Sequence, residues 1–124
     1  MSIINPAGLK ARSYYNHAKI RPGTPVFPTG QVAWDEEGTW SALGICRQAC
    51  WVRYAHRSPG GLGHSDRDCA HHHYVTDLAL VPHIHPVRQR FFEGLELPAS
   101  TLFQILCARR TELLLEIDVV IMLP

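Results

Sequence analysis

The segment LLLEIDVVIML, Leu113–Leu123, carries the pattern that decides the fold. Successive side chains of a β-strand point to opposite faces, so one face of this segment would hold only Leu, Ile and Val. The other face would hold Glu116 and Asp118 among three apolar side chains. We therefore predict a strand whose first face lies in the core under helices. The second face, apolar apart from two carboxylates, is expected to pack against other subunits.

The residues before this strand predict alternating helix and strand. Thr101–Ala108 is a second apolar run, which we predict to pair antiparallel with the last strand across the polar connection at residues 108–112. Pro86–Glu93 predicts a short helix that ends at Gly94, because proline suits a first helical turn. His72–Asp77 predicts a further strand.

The first half of the chain predicts a hairpin and a helix. Thr24–Trp34 is typical of a short strand interrupted by proline, bending into a turn at residues 35–38. Ser41–Arg57 has small and apolar residues at helical spacing, and Ser58–Asp68 has the Gly, Pro and Asp content of a loop. The chain is thus predicted to be α+β, with two helices on one face of a small sheet.

Length and composition bound the function. At 124 residues and 46% hydrophobic, the chain is long enough for one domain over residues 1–124. Twelve basic and eleven acidic residues give a net charge of +1, which disfavours a nucleic-acid partner. The sequence lacks an export signal pattern and an apolar run of membrane-spanning length, so we expect no membrane association, a cytoplasmic location and reduced cysteines.

Six motifs, spread in order over most of the chain, resemble the Rid family of reactive intermediate deaminases, also called RidA, YjgF or endoribonuclease L-PSP. The motifs are YYNHA (14–18), FPTGQVA (27–33), YVTDL (74–78), RFF (90–92), LPASTL (97–102) and LLEIDVVIMLP (114–124). The resemblance implies a chorismate-mutase-like α+β fold, with one mixed or antiparallel sheet carrying two helices on one face. It also implies a homotrimer formed through the other face, with small imine or enamine acids bound in clefts between subunits and no cofactor.

The resemblance also assigns a candidate site. Tyr15 matches the family's amino-terminal pocket tyrosine, Gly30 matches the glycine whose backbone faces the ligand, and His85 stands where the family often has Asn. Asp118 stands where the family usually has Glu and is the candidate catalytic residue, placed to bind or activate the water that attacks an imine carbon. The implied reaction protonates an enamine to its imine, adds water and releases ammonia.

The turn LPASTL departs from the family pattern. Active deaminases usually carry arginine at the position of Ser100, where a planar guanidinium clamps the substrate carboxylate. Serine donates one neutral hydrogen bond, roughly half as strong as a charge-assisted one. We include Ser100 and Leu102 in the substrate-binding set and expect an altered specificity. A catalytically silent ligand-binding trimer is the alternative, and a ribonuclease or translation inhibitor is disfavoured by the near-neutral charge.

The stretch Cys50–His73 departs most from the family. Cys46 and Cys50 lie one helical turn apart, and Cys69 with His71 or His73 could complete a zinc site. This spacing matches no compact zinc motif, so we predict no metal. A local frame shift relative to a family ancestor is another interpretation, since typical sequence resumes directly afterwards.

Overall fold

The computed structural model describes residues 2–30, 32, 68–111 and 113–123. The strands are β1 (Ser2–Ile4), β2 (Ala18–Ile20), β3 (Thr24–Val26), β4 (Asp68–Val75), β5 (Ala99–Gln104) and β6 (Leu115–Leu123). Among these residues, helix α1 (Val81–Phe91) follows a 3₁₀ turn at Leu78–Leu80. β1 pairs with β2, and the other strands form a mixed sheet in the order β3-β6-β4-β5. The predicted α+β class is confirmed.

The two faces of β6 differ as the alternation predicts. Its buried side chains are Leu115, Ile117, Val119 and Ile121, each at most 3% exposed. They pack with Ile84 and Val87 of α1, and we call this side of the four-stranded sheet the inner face. Glu116 and Asp118 are partly exposed on the opposite side, the outer face.

Strand β4 lies in the middle of the sheet and divides a run of three histidines between the two faces. His71 and His73 are buried opposite Val119 and Ile117 on the inner face. His72 lies on the outer face opposite Asp118. The strand begins four residues before the predicted start and ends two residues before the predicted end.

The side chain of Asp77, the predicted last residue of that strand, has another role. It accepts a hydrogen bond of 2.8 Å from the backbone N–H of Ala79. This contact caps the 3₁₀ turn, because it satisfies a donor that has no partner within the turn.

The predicted antiparallel pairing of the last two strands is wrong. β4 lies between them, parallel to β5 and antiparallel to β6. A parallel pair needs a long crossover, which the 3₁₀ turn and α1 supply between β4 and β5. The connection to β6 then passes the end of β4, where Ile105 N–H donates to Val75 O at 2.8 Å and Thr76 N–H donates to Leu114 O at 3.1 Å. Two apolar runs with a polar link look the same in sequence for either topology.

Helix α1 begins five residues before its predicted start and ends two residues before its predicted end. Pro82, rather than Pro86, occupies the first turn. Pro86 lies inside the helix, where its missing N–H removes one backbone hydrogen bond. Gly94 follows the helix with φ of 76°, a left-handed conformation that favours glycine, as expected of a residue that ends a helix.

The amino-terminal predictions are only partly within the described residues. Of the strand predicted over Thr24–Trp34, residues 24–30 and 32 are described, and of these Thr24–Val26 form β3, an edge strand that tolerates Pro25. The predicted turn at residues 35–38 and the helix Ser41–Arg57 lie outside the described residues, as does the loop up to residue 67. Across the ranges that are described, no helix is long and apolar enough to cross a membrane.

Candidate functional site

A cleft of about 270 Å³ opens between α1, β5 and the segment before β2. It is lined by Tyr14, Tyr15, Val81, His85, Arg88, Ser100 and Leu102. Four of these, Tyr15, His85, Ser100 and Leu102, belong to the substrate-binding set predicted from the sequence. The structure therefore brings together residues from two of the six motifs, YYNHA and LPASTL, and from the helix between them.

Helix α1 supplies one wall of the cleft. Val81, His85 and Arg88 are spaced i, i+4 and i+7, which places them on one helical face. Ile84 and Val87 lie on the adjoining face and are buried in the core. The packing of the core therefore fixes the direction in which the polar face points.

Strand β5 supplies the opposite wall. Ser100 lies opposite His71 and Leu102 lies opposite His73 in the parallel pairing with β4. Residues paired in register share a face, so both β5 side chains are on the inner face, beside α1. The β4–α1–β5 crossover thus builds the cleft.

Among the described residues that line the cleft, Arg88 carries the charge. It is 1% exposed, and its Nη2 donates hydrogen bonds to Tyr14 O at 3.0 Å and Ser100 Oγ at 2.8 Å. Its guanidinium carbon lies 5.4 Å from the centre of the Tyr14 ring. Among the described residues, Nε has no hydrogen-bond partner and no carboxylate pairs with the guanidinium. Burial lowers the pKa of Arg88 to about 10, so the side chain stays cationic at neutral pH.

His85 is held in the cleft by stacking. Its ring lies 3.9 Å from that of Tyr14, with 16° between the planes. Burial, followed by the charges of Arg88 and Arg12, lowers the pKa of His85. The imidazole is therefore neutral at pH 7, with one nitrogen able to donate and the other able to accept.

The groups behind Ser100 are also uncharged. Ser100 Oγ lies 3.4 Å from His73 Nδ1, and burial, with the charge of Arg88, holds the pKa of His73 well below its ordinary value. Burial likewise lowers the pKa of His71, although its hydrogen bond to Asp68 opposes the shift. In the part of the chain that the structure describes, the hydrogen-bond partners of the guanidinium are therefore neutral.

Asp118 and Gly30 lie apart from the cleft. Asp118 Oδ1 accepts a 2.5 Å hydrogen bond from His72 Nδ1, and Oδ2 accepts one of 3.1 Å from the Tyr74 hydroxyl. That second bond raises the pKa of Tyr74. Gly30 lies against the carboxylate of Glu116, where a Cβ atom would overlap the side chain. Both predicted residues therefore belong to the outer face.

The structure thus divides the predicted site between two faces. Ser100 is in register with His71, whereas Asp118 is in register with His72. Adjacent residues of a strand point to opposite faces, so Ser100 and Asp118 of one chain cannot contact the same small ligand.

Sequence reasoning missed Tyr14, Val81 and Arg88. A signal for two of them was present, because Val81 and Arg88 are four residues before and three after His85. Those positions share a helical face with His85. Placing the helix start at Pro86 left His85 outside the helix and concealed this relation.

The zinc interpretation gains no support from the described residues, in which no three potential ligands gather. Cys46 and Cys50 lie outside the described part of the chain. Burial raises the pKa of the Cys69 thiol, which disfavours the thiolate that a metal would need.

Comparison with solved structures identifies the fold. A Rid-family protein of unknown function from Yersinia pestis superposes with a TM-score of 0.78 and 23% identity, covering 98% of this chain and 98% of that chain. Yeast Mmf1 gives a TM-score of 0.69 and 13% identity, covering 97% of this chain and 92% of Mmf1. RidA from the Antarctic bacterium Psychrobacter superposes with a TM-score of 0.63 and 17% identity, covering 99% of each chain. No protein-family model and no curated protein matches the sequence.

Proposed function

We propose that this chain, which has the Rid fold, forms a homotrimer that binds and hydrolyses a small reactive imine or enamine in clefts between subunits. The observation that carries the proposal is the convergence on one cleft of Tyr15, from the motif YYNHA, of Ser100 and Leu102, from the motif LPASTL, and of His85 from α1. A cytoplasmic location is part of the proposal, as the sequence predicts.

The cleft contains groups suited to this chemistry. Tyr15, neutral His85 and Ser100 can donate or accept hydrogen bonds around a C=N group. In the reaction, water adds to the imine carbon, the nitrogen takes a proton, and the C–N bond breaks to release ammonia and leave a carbonyl. One water is consumed for each ammonia, so the reaction needs no oxidant or reductant. Because Ser100 replaces the usual arginine, we expect a specificity that differs from that of family members with that arginine.

The outer face supplies the second half of the proposed site. If this face packs over the cleft of a neighbouring copy, Asp118 of the partner subunit would approach the ligand. A carboxylate has about four acceptor positions, of which His72 and Tyr74 use two, so Asp118 can still hold a water molecule. The partly buried Val120 and Met122 beside it suit a subunit contact.

Ammonia release tests the catalytic proposal. Freshly generated imines, both 2-aminoacrylate-derived and bulkier, would be given to the wild type, to Asp118→Asn and to Asp77→Asn. We expect turnover by the wild type and a loss of about 100-fold or more in Asp118→Asn, the range for a general acid or base. Asp77→Asn is the matched control, because that exposed aspartate lies at the 3₁₀ turn.

Two outcomes would contradict the proposal. Absence of ammonia with every imine would remove the catalytic claim and favour a silent ligand-binding trimer, for which the neutral hydroxyl at Ser100 is the supporting observation. A stable monomer in sedimentation would remove the cleft between subunits. Sedimentation of Val120→Asp beside the wild type would locate the contact, since we expect that charge to dissociate the trimer.

A further inference from the structure

The cleft contains a guanidinium in contact with Ser100, the position at which the family resemblance predicts an arginine. This guanidinium belongs to Arg88, which lies on a different element of the fold. Ser100 on β5 occupies the position of the usual arginine. Arg88 extends from α1 to the same place, and its Nη2 lies 2.8 Å from Ser100 Oγ. The turn at Ser100 carries no cation, and the facing helix places one beside it.

The charge of Arg88 has no balancing anion in the described part of the chain. The side chain is 1% exposed, and its contacts are a backbone carbonyl, a hydroxyl and an aromatic face. Burying a charge without a counter-charge is costly. An anion that enters the cleft would supply the missing partner, whereas a neutral ligand would leave the charge unbalanced.

The hydrogen-bonding capacity of Arg88 is also incompletely used. Its hydrogen bonds to Tyr14 O and Ser100 Oγ use two of the five N–H donors of a guanidinium. Nε is buried without a hydrogen-bond partner among the described residues. The planar arrangement of these donors matches the two oxygens of a carboxylate. The about 270 Å³ cleft and its apolar Val81 and Leu102 suit a small molecule.

We infer that Arg88 is the anion anchor of the cleft and that the ligand carries a single carboxylate, as in a small 2-imino acid or the 2-oxo acid formed from it. One carboxylate suffices, because Arg88 is the one cation of the described lining. The assignment of the imino acid rests on the proposed function, whereas the anion anchor does not.

A pair of isosteres tests the anchor. Calorimetry would compare 2-oxobutanoate with neutral 2-oxobutanamide on the wild type, Arg88→Met, Arg88→Lys and Arg90→Met. Hydrogen bonds to charged groups predict that the wild type binds the carboxylate about 10- to 100-fold more tightly than the amide. We expect Arg88→Met to abolish this preference and Arg88→Lys to keep part of it. Arg90→Met is the matched control, because Arg90 is exposed on the same helix and should leave the preference unchanged.

Equal binding of both compounds by the wild type would overturn the inference, as would an undiminished preference in Arg88→Met. Methionine is of comparable length, and replacing a buried unpaired charge with an apolar group is often tolerated. Should that variant fail to fold, nuclear magnetic resonance of the wild type decides. We expect the buried Nε–H signal of Arg88 to shift with 2-oxobutanoate and not with the amide; a signal that moves with neither contradicts the anchor.

The ammonia assay separates this inference from the proposed function. A carboxylate preference that depends on Arg88, in a protein that releases no ammonia, would support the anchor and contradict the hydrolase. Ammonia released equally fast from carboxylate-bearing and neutral imines, and unchanged in Arg88→Met, would support the hydrolase and contradict the anchor.

Discussion

The inner and outer faces of the four-stranded sheet place histidine side chains in different environments. On the inner face, His71 and His73 are buried and favour the neutral form beside Arg88, whose charge has no carboxylate partner among the described residues. On the outer face, the partly exposed His72 donates a hydrogen bond to the carboxylate of Asp118. Three consecutive histidines therefore have different chemistry because the strand alternates and burial follows that alternation. The difference separates a cleft whose described lining contains no carboxylate from a surface that carries Glu116 and Asp118.

The largest expected difference between the faces is in packing. Ile117→Ala removes side-chain volume from the closed inner core and should lower the free energy of unfolding by about 4 kcal/mol. Val120→Ala, on the outer face of the same strand, should cost less than about 1 kcal/mol in the isolated chain, because its site is partly exposed. Urea denaturation at two protein concentrations measures both.

The same experiment tests the proposed subunit contact. If copies associate through the outer face, the cost of Val120→Ala should increase with protein concentration, whereas that of Ile117→Ala should not change with it relative to the wild type. A large cost for Val120→Ala that is independent of concentration would mean that the outer face is covered by the chain itself.

A smaller effect is expected from moving the cation of the cleft. Ser100→Arg would place a second guanidinium against Arg88 in a buried site, and we expect it to lower the free energy of unfolding by about 3 kcal/mol. Ser100→Arg combined with Arg88→Met restores a single cation and should recover most of that loss. Thermal unfolding of the three variants measures this coupling. Additive costs in the double variant would show that the two positions do not share one charge site.

The smallest expected effect is a pH dependence that arises on the inner face. The pKa of His73 in the folded protein is well below the ordinary 6.5, so the unfolded chain binds a proton that the folded chain does not. Stability is therefore fully present above pH 6.5 and is lost as the pH falls below it, by up to about 1.4 kcal/mol per pH unit for each such histidine. Denaturation between pH 7 and pH 5 measures the slope.

A matched pair of variants assigns that slope. His73→Gln should reduce it, because the substituted side chain does not titrate. His83→Gln should leave it unchanged, because His83 is exposed on α1. An unchanged slope in His73→Gln would place the titrating group elsewhere, with His71 as the next candidate.

The sequence predicts the parts of the fold that depend on local alternation. The faces of β6 follow from period-two burial, and the separation of His72 from its two neighbours follows from the same rule. The pairing of β5 was predicted wrongly, because whether an apolar run pairs with the next strand or across a helix depends on distant contacts. Propensity contains no information about that choice.

The candidate site shows the same limit. The family resemblance located Tyr15, His85, Ser100 and Leu102, which the structure brings together around one cleft. It did not locate Arg88, because motif matching compares positions and cannot recognise a charge that another element supplies. Helical spacing from His85 would have indicated Arg88, had the start of α1 been placed correctly.

The interior position of β6 has a consequence for the order in which the molecule assembles. β6 lies between β3 and β4, with Leu123 opposite Thr24 and Ile121 opposite Asp68. The middle of the sheet therefore closes only when segments far apart in the chain meet, which slows folding compared with a fold of local contacts. Until β6 docks, one edge of β4 has open backbone donors and acceptors next to two histidines that will later be buried. During that interval the open edge of β4 can pair with other incompletely folded copies of the chain.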